Sequence, residues 1–181
     1  MREFIYPEMM VHVPVCTSKV PENVLIISDN AELLNAEMQK HSEINSSVIE
    51  CSMDAVRNAD DDSADVVICE MDADGATVAH INRILKDDGQ LCITHPDLDE
   101  TEPNKTLMKA LGRYFKVIMP FNLGNGSTAL LASKEYHPTA DIILQRSDMI
   151  DGLKHYNCDI HIAAFAMPNY IRKEYLGIIR N

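Results

Sequence analysis

Acidic side chains follow the ends of three apolar runs. Val24-Leu25-Ile26-Ile27-Ser28 gives way to Asp29-Asn30, Val48-Ile49 to Glu50, and Val66-Val67-Ile68-Cys69 to Glu70 and, two residues on, Asp72. Carboxylates can accept a proton from an attacking nucleophile, hold an ammonium group, or hydrogen-bond to hydroxyls. Acids also gather in helix-flanking turns simply because helix N-termini carry partial positive charge. Their clustering at three run ends is what raises the prospect of a site.

The segments between the acids determine whether they can meet. Val24 to Ser28 is a short apolar run closed by a turn signal and reads as a buried strand. Ala31 to His41 carries Leu33, Leu34, Glu37 and Met38 at helical spacing. Ser46 to Cys51 is a second strand, and Met53 to Ala59 a short helix. Asp65 to Glu70 is the clearest buried strand. Val78, Ile81, Ile84 and Leu85 form one helical stripe, which Gly89 is expected to stop after Lys86-Asp87-Asp88. Leu91 to Thr94 is a strand, and Glu102 to Tyr114 a helix with Leu107, Met108, Leu111 and Tyr114 in register. Phe115 to Met119 and Thr128 to Ser133 are strands joined by the turn-like Phe121-Asn122-Leu123-Gly124-Asn125-Gly126, so they should pair antiparallel. Pro168 is expected to start a last helix.

Apolar strands alternating with helices imply an α/β fold: helices on both faces of a mostly parallel sheet, with right-handed crossovers. About six strands are expected, one of them antiparallel. Such sheets bind ligands beyond the carboxyl ends of their strands, near the point where strand order reverses. The acids after Ser28, Ile49 and Cys69 all fall there.

Composition narrows the function classes. At 181 residues and 46% hydrophobic, the chain has the size and apolar content of one domain, taken as residues 1–181. Residues 1–20 read as an N-terminal arm, and 155–181 as a C-terminal motif and helix. Sixteen Lys and Arg against 28 Asp and Glu give a net charge of −12, which argues against nucleic acid as a partner. It suits a cationic partner such as a polyamine, or serves solubility alone. No apolar run reaches the ~18 residues of a membrane span, and the acid and proline near the N-terminus do not suit a signal peptide. A cytoplasmic location is the expectation. Cys16, Cys51, Cys69, Cys92 and Cys158 form no C-x-x-C pair and read as reduced, buried small hydrophobes.

Three stretches resemble the spermidine synthases, the polyamine aminopropyltransferases. Glu3-Phe4-Ile5-Tyr6-Pro7-Glu8-Met9 through His12-Val13-Pro14 is similar to the family's E-F-x-Y-H-E-M-x-x-H-x-P segment. Leu85-Lys86-Asp87-Asp88-Gly89-Gln90-Leu91 is similar to its L-K-x-G-G segment. His155-Tyr156-Asn157-Cys158-Asp159-Ile160-His161-Ile162-Ala163-Ala164-Phe165-Ala166-Met167-Pro168 closely follows its Y-Y-N-x-x-x-H-x-A-A-F-A-L-P ending. The resemblance runs through the chain in order. It implies the C-terminal Rossmann-like domain of that family, of the S-adenosylmethionine-methyltransferase type, entered at the exit of the family's N-terminal β domain.

The resemblance also implies roles. Glu70 takes the place of the catalytic Asp of the family's D-S-S-D and would accept the proton, with Asp72 acting beside it and binding the diamine. Tyr6 would line the diamine cleft, with packing of the arm on the sheet as its bland alternative. Asp29 and Asn30 stand in the family's glycine-rich loop, and Glu50 would hold the ribose hydroxyls. The co-substrate would be decarboxylated S-adenosylmethionine and the acceptor putrescine, with no metal or prosthetic group, in a homodimer. The departures are specific. The loop Ser28-Asp29-Asn30-Ala31-Glu32-Leu33 contains no glycine, the His of Y-H-E is Pro7, and the family's catalytic Tyr falls on Phe121-Asn122. Between Glu50 and Asp65 lie 14 residues, too few for the helix, strand and helix the family places there, so one βα unit is expected to be missing. His12 and His161 read as packed histidines, and Phe165 and Met167 as core. The chain alone is expected to be a weak or inactive aminopropyltransferase; the alternative is a non-catalytic binding or oligomerisation module.

Overall fold

The computed structural model of the chain describes residues 2–181. A six-stranded sheet is built from β1 (Asn23–Ile27), β2 (Asn45–Ile49), β3 (Ala64–Cys69), β4 (Leu85–Thr94), β5 (Val117–Asn122) and β6 (Thr128–Ser133), in the order β2-β1-β3-β4-β6-β5. All neighbours pair parallel except β6, which runs antiparallel to both β4 and β5. This is the expected α/β Rossmann-like arrangement.

Alternation along each strand divides the core. Val24, Ile26, Val66, Ile68, Cys92 and Leu131 face one side. Leu25, Ile27, Val67, Cys69, Leu91 and Leu130 face the other. The first side is covered by α1 (Ile5–Thr17), α2 (Glu32–Met38), α6 (Leu144–Asp148) and the segment through α7 (Cys158–Ala164). The second is covered by α3 (Met53–Asn58), α4 (Gly75–Ile84), α5 (Thr101–Leu111) and α8 (Asn169–Glu174). Two apolar layers on one sheet are what continuous apolar strands require, because both faces must leave water.

The N-terminal arm is a helix, α1, buried along almost its whole length. It packs against β3, β4, α2 and α6. Pro7 sits in its first turn, where an N–H would lack an intrahelical partner anyway. With Met9, Met10, Val11, Val13 and Val15 all at zero exposure, the helix is apolar all round and presents no stripe.

Several boundaries differ from the sequence reading; β5 runs on to Asn122 and takes in Phe121 and Asn122 of the expected turn. The helix carrying Val78, Ile81 and Ile84 ends at Ile84, and Gly89 does not stop it. Leu85 is already extended (φ −75°, ψ 133°) and pairs with Ala64 as the first residue of β4. The register then slips, Val66 facing Gln90, and Gly89 lies in that irregularity. A Cβ there would sit 2.9 Å from Leu85 Cβ and 3.0 Å from the Lys86 carbonyl oxygen, so close packing explains the glycine. Similarly, α5 closes at Leu111 with Gly112 after it, leaving Tyr114 beyond the helix and exposed. Pro168 does cap the last helix, α8. All five cysteines are free thiols; Cys16, Cys69 and Cys92 are buried, while Cys51 and Cys158 are half-buried.

Candidate functional site at the carboxyl ends of the strands

Strand order reverses between β1 and β3. The chain leaves β1 for β2 on one side, then returns to β3 on the other. The residues just past these ends are Ser28-Asp29-Asn30 and Glu70-Met71-Asp72. Backbone bonds hold the ends together: Ser28 N–H donates to the Ile49 carbonyl at 3.0 Å, and Glu70 N–H to the Ile27 carbonyl at 2.9 Å.

Glu70 is the centre of the arrangement. Tyr6, from the first turn of α1, donates its hydroxyl to Oε1 at 2.5 Å. Ser28 donates its hydroxyl to Oε2 and accepts the Asn30 N–H at 3.0 Å. Burial raises the Tyr6 pKa far above the usual phenol value, and the hydrogen bond to Glu70 and its negative charge raise it further. Tyr6 is therefore a fixed donor, a stronger role than packing of the arm.

Asp29 and Asp72 join the same cluster around a thiol that sequence reasoning took for a buried hydrophobe. Cys51 donates its backbone N–H to Asp29 Oδ1 at 2.8 Å. Burial raises its thiol pKa, and the charges of Asp29, Glu70 and Asp72 add to the rise. The Cys51 thiol is therefore held in its neutral form. Glu50 turns to its own neighbour, accepting the Ser52 hydroxyl at 2.9 Å, while Ser52 caps α3. Asp74 caps α4, its Oδ1 accepting from both the N–H and the hydroxyl of Thr77 at 2.8 and 2.9 Å.

The two terminal motifs lock to each other and thereby place Tyr6. Buried Glu8, two residues beyond Tyr6, accepts the backbone N–H groups of Lys154, His155 and Tyr156 at 2.8–2.9 Å. His161 is buried and hydrogen-bonded to Tyr156 Oη at 2.7 Å and to the Pro138 carbonyl at 3.0 Å. His12 is buried between Glu37 and His41, 2.9 Å from each. Both histidines are therefore packed, satisfied groups. Asn122, the second residue of the Phe121-Asn122 pair, donates to the carbonyls of Ala164 and Ala166 at 3.1 and 3.2 Å. It ties β5 to the C-terminal motif.

A cleft of about 390 Å³ opens along the same rim, over the ends of β4, β5 and β6. It is lined by His95, Asp97, Asp99, Asn122, Thr128 and Tyr170, among others. His95 is fixed in it by Asn104 at 2.7 Å and Thr128 at 3.0 Å, and burial lowers its pKa so that it stays neutral. The sequence reading did not select His95, Ser28 or Cys51. Ser28 carried a signal: it is the first polar residue after four apolar ones, so it must emerge from the core at the sheet rim.

Comparison with known proteins agrees with this architecture. No family model matches the chain. A spermidine synthase solved with the transition-state analogue AdoDATO superimposes with a TM-score of 0.84 at 21% identity, covering 95% of this chain and 75% of that one. The Thermotoga maritima spermidine synthase gives 0.82 at 22% identity, with 95% and 74% covered. The fold is therefore that of a Rossmann-like domain. In sequence, the polyamine aminopropyltransferase of Helicobacter acinonychis is 30% identical over 115 residues, 60% of this chain and 44% of the relative. That of Clostridium beijerinckii is 24% identical over 225 aligned positions, 97% of this chain and 79% of the relative. In sequence the chain is similar to the polyamine aminopropyltransferases, and it spans less than half the length of the Helicobacter relatives it matches.

Proposed function

We propose that the rim formed by Tyr6, Ser28, Asp29, Glu70 and Asp72 is an aminopropyl-transfer site. The observation that carries this reading is Glu70, held at the switch point between two hydroxyl donors. In the reaction, the amine lone pair of a diamine forms a new N–C bond at the carbon beside a sulfonium. The C–S bond breaks, and its electron pair neutralises the sulfur to a thioether. The attacking nitrogen must lose one proton, which Glu70 accepts. The leaving group is already activated by its charge, so positioning supplies most of the acceleration. Asp72 and Tyr6 would orient the diamine. Asp29, Asn30 and Glu50 would hold the nucleoside of decarboxylated S-adenosylmethionine, the co-substrate, and putrescine would be the acceptor. The protein would act in the cytoplasm as a homodimer.

Specific observations favour weak turnover by residues 1–181 alone. Both Glu70 oxygens already accept a hydroxyl, which leaves the carboxylate fewer free lone pairs for an incoming ammonium. The Asn30 N–H and one Asp29 oxygen are bonded within the protein. Ser28 to Glu32, which carry Cβ atoms, cannot follow every backbone path open to glycine. Asn122 is committed to the C-terminal motif and offers no phenol. The same features support the second reading, a binding module of this fold without catalysis. Transfer of the aminopropyl group to putrescine by the purified protein, beside Glu70→Gln, separates the two. The expected result is slow turnover lost in Glu70→Gln. No turnover, together with unaltered calorimetric binding of the thioether product in Glu50→Ala, would overturn the assignment.

A further inference from the structure

In the cleft over the ends of β4, β5 and β6, a histidine stands between a hydroxyl and a side-chain amide. Asn104, on α5, is fully buried. Its Nδ2 donates to the carbonyls of Pro96, Asp97 and Glu100 at 3.1, 2.7 and 3.0 Å, so the atom it turns to His95 is the acceptor Oδ1. His95 Nδ1 lies 2.7 Å from that oxygen and therefore carries the ring's proton. Burial outweighs the pull of the Asn104 bond and the Asp97 charge and keeps the ring neutral. Nε2 is left as an acceptor, and the Thr128 hydroxyl donates to it at 3.0 Å.

The sheet fixes this array. The β4–β6 ladder ends with Thr94 opposite Ala129, and one step further the same register sets His95 opposite Thr128. Both are half-buried and both line the cleft of about 390 Å³. Hydroxyl and imidazole thus reach the cleft, while Asn104 stays behind them in the core. Leu98, Met167 and Ile171 supply apolar wall, and Tyr170 brings an exposed phenol. Among the described residues that line the cleft, Asp97 and Asp99 are the only charged ones, and both are exposed.

We propose that Thr128 and His95 are the nucleophile and general base of a second catalytic centre, positioned by Asn104, which hydrolyses small carboxylic esters bearing a cationic group. Both spacings fall within the hydrogen-bond reach that such an array needs. Thr128 Oγ1 forms a bond to the ester's carbonyl carbon as its proton passes to His95 Nε2. The bond from that carbon to the alcohol oxygen breaks, and His95 returns the proton to the leaving alcohol. Water then attacks the acyl-threonine ester, His95 again taking and returning a proton. One ester and one water give one carboxylic acid and one alcohol, and Thr128 is restored. The Tyr170 phenol is the donor available to the carbonyl oxygen as charge develops there. Asp97 and Asp99 draw in the cationic end of the substrate. The centre uses none of the residues assigned to aminopropyl transfer and needs no sulfonium, so either reading can fail without the other.

The test uses the full chain with acetylcholine and with its uncharged carbon isostere, acid release being followed by titration at constant pH. Acetylcholine should be cleaved faster, and Asp99→Asn should reduce that preference. Acid quenching followed by peptide mass analysis should find an acetyl group on the segment carrying Thr128. Thr128→Val keeps the shape and removes the hydroxyl, and should lower turnover by ~10² or more, whereas Thr128→Ser should retain it. His95→Gln should lower turnover by ~10²–10⁴; should it misfold, the two Thr128 variants carry the test. Asn104→Asp sets a carboxylate beside Nδ1 and raises the ring's pKa, so the acid limb of kcat should move to higher pH, which a loosened loop alone would not cause. Absence of cleavage of either ester would overturn the proposal. So would turnover retained in Thr128→Val, or acetyl groups found on lysines alone.

Discussion

Lowering the pH from 7 to 4.5 should destabilise the protein through its buried histidines. His41 and His161 have their pKa values lowered from 6.5 to about 4, in both cases first by burial. For His41, the charges of His12 on α1 and Arg146 on α6 lower it further, and Lys40 beside it does the same, while Glu37 opposes. The hydrogen bonds made by His12 and His161 require neutral rings. Burial disfavours the Glu37 carboxylate, but hydrogen bonds from His12 and Lys40 outweigh it and hold that carboxyl below its usual range. An ionised carboxylate only accepts, so His12 Nε2 carries the proton, His12 Nδ1 accepts, and His41 Nε2 donates to it. His161 likewise donates from Nε2 to the Pro138 carbonyl and accepts the Tyr156 hydroxyl at Nδ1. In the unfolded chain both rings bind protons near pH 6.5. Between 6.5 and 4 the unfolded state therefore holds more protons, and stability is lost as pH falls. The drop of roughly 2.5 units at each ring corresponds to about 3 kcal/mol per histidine across the full window, large against the ~5–15 kcal/mol of a typical domain. His12, also lowered by burial, acts in the same direction. Urea unfolding midpoints at half-unit steps from pH 7 to 4.5 read the effect directly. A flat profile over that range would refute the reasoning, as would a slope that His161→Gln leaves unchanged.

Other perturbations follow from single contacts. Glu8→Ala strips an acceptor from the N–H groups of Lys154, His155 and Tyr156 and should cost about 3 kcal/mol or more. Glu8→Gln, which keeps one acceptor oxygen, should cost less, and thermal melts rank the two. Ser28→Ala removes the donor to Glu70 and the acceptor for Asn30 N–H. It should lower stability by about 1–2 kcal/mol and increase amide exchange at Asn30. Gly124 combines φ +85° with His155 Nε2 only 2.6 Å from where a Cβ would lie. Gly124→Ala should therefore destabilise by on the order of 1–3 kcal/mol, visible in the urea midpoint.

The strands were legible in the sequence because continuous apolar runs such as Val66 to Cys69 have only one economical home, a sheet covered on both faces. The polar residues that end them, Ser28-Asp29 and Glu70, marked the rim for the same reason. The helix over Ile5 to Thr17 carried no such mark: it is buried on every side, so the apolar period that reveals a helix is absent. Leu85 misled in the opposite way. It continues the stripe of Val78 and Ile81, and only the ladder with Ala64 turns it into a strand. The candidate site depends more heavily still on distant contacts. Tyr6 meets Glu70 across 64 residues, and Glu8 meets Tyr156 across 148. Local sequence sets which residues prefer to be buried, extended or capped. Which hydroxyl reaches which carboxylate is decided only when two helical layers close over the sheet, because a hydrogen bond needs its partners within about 3 Å.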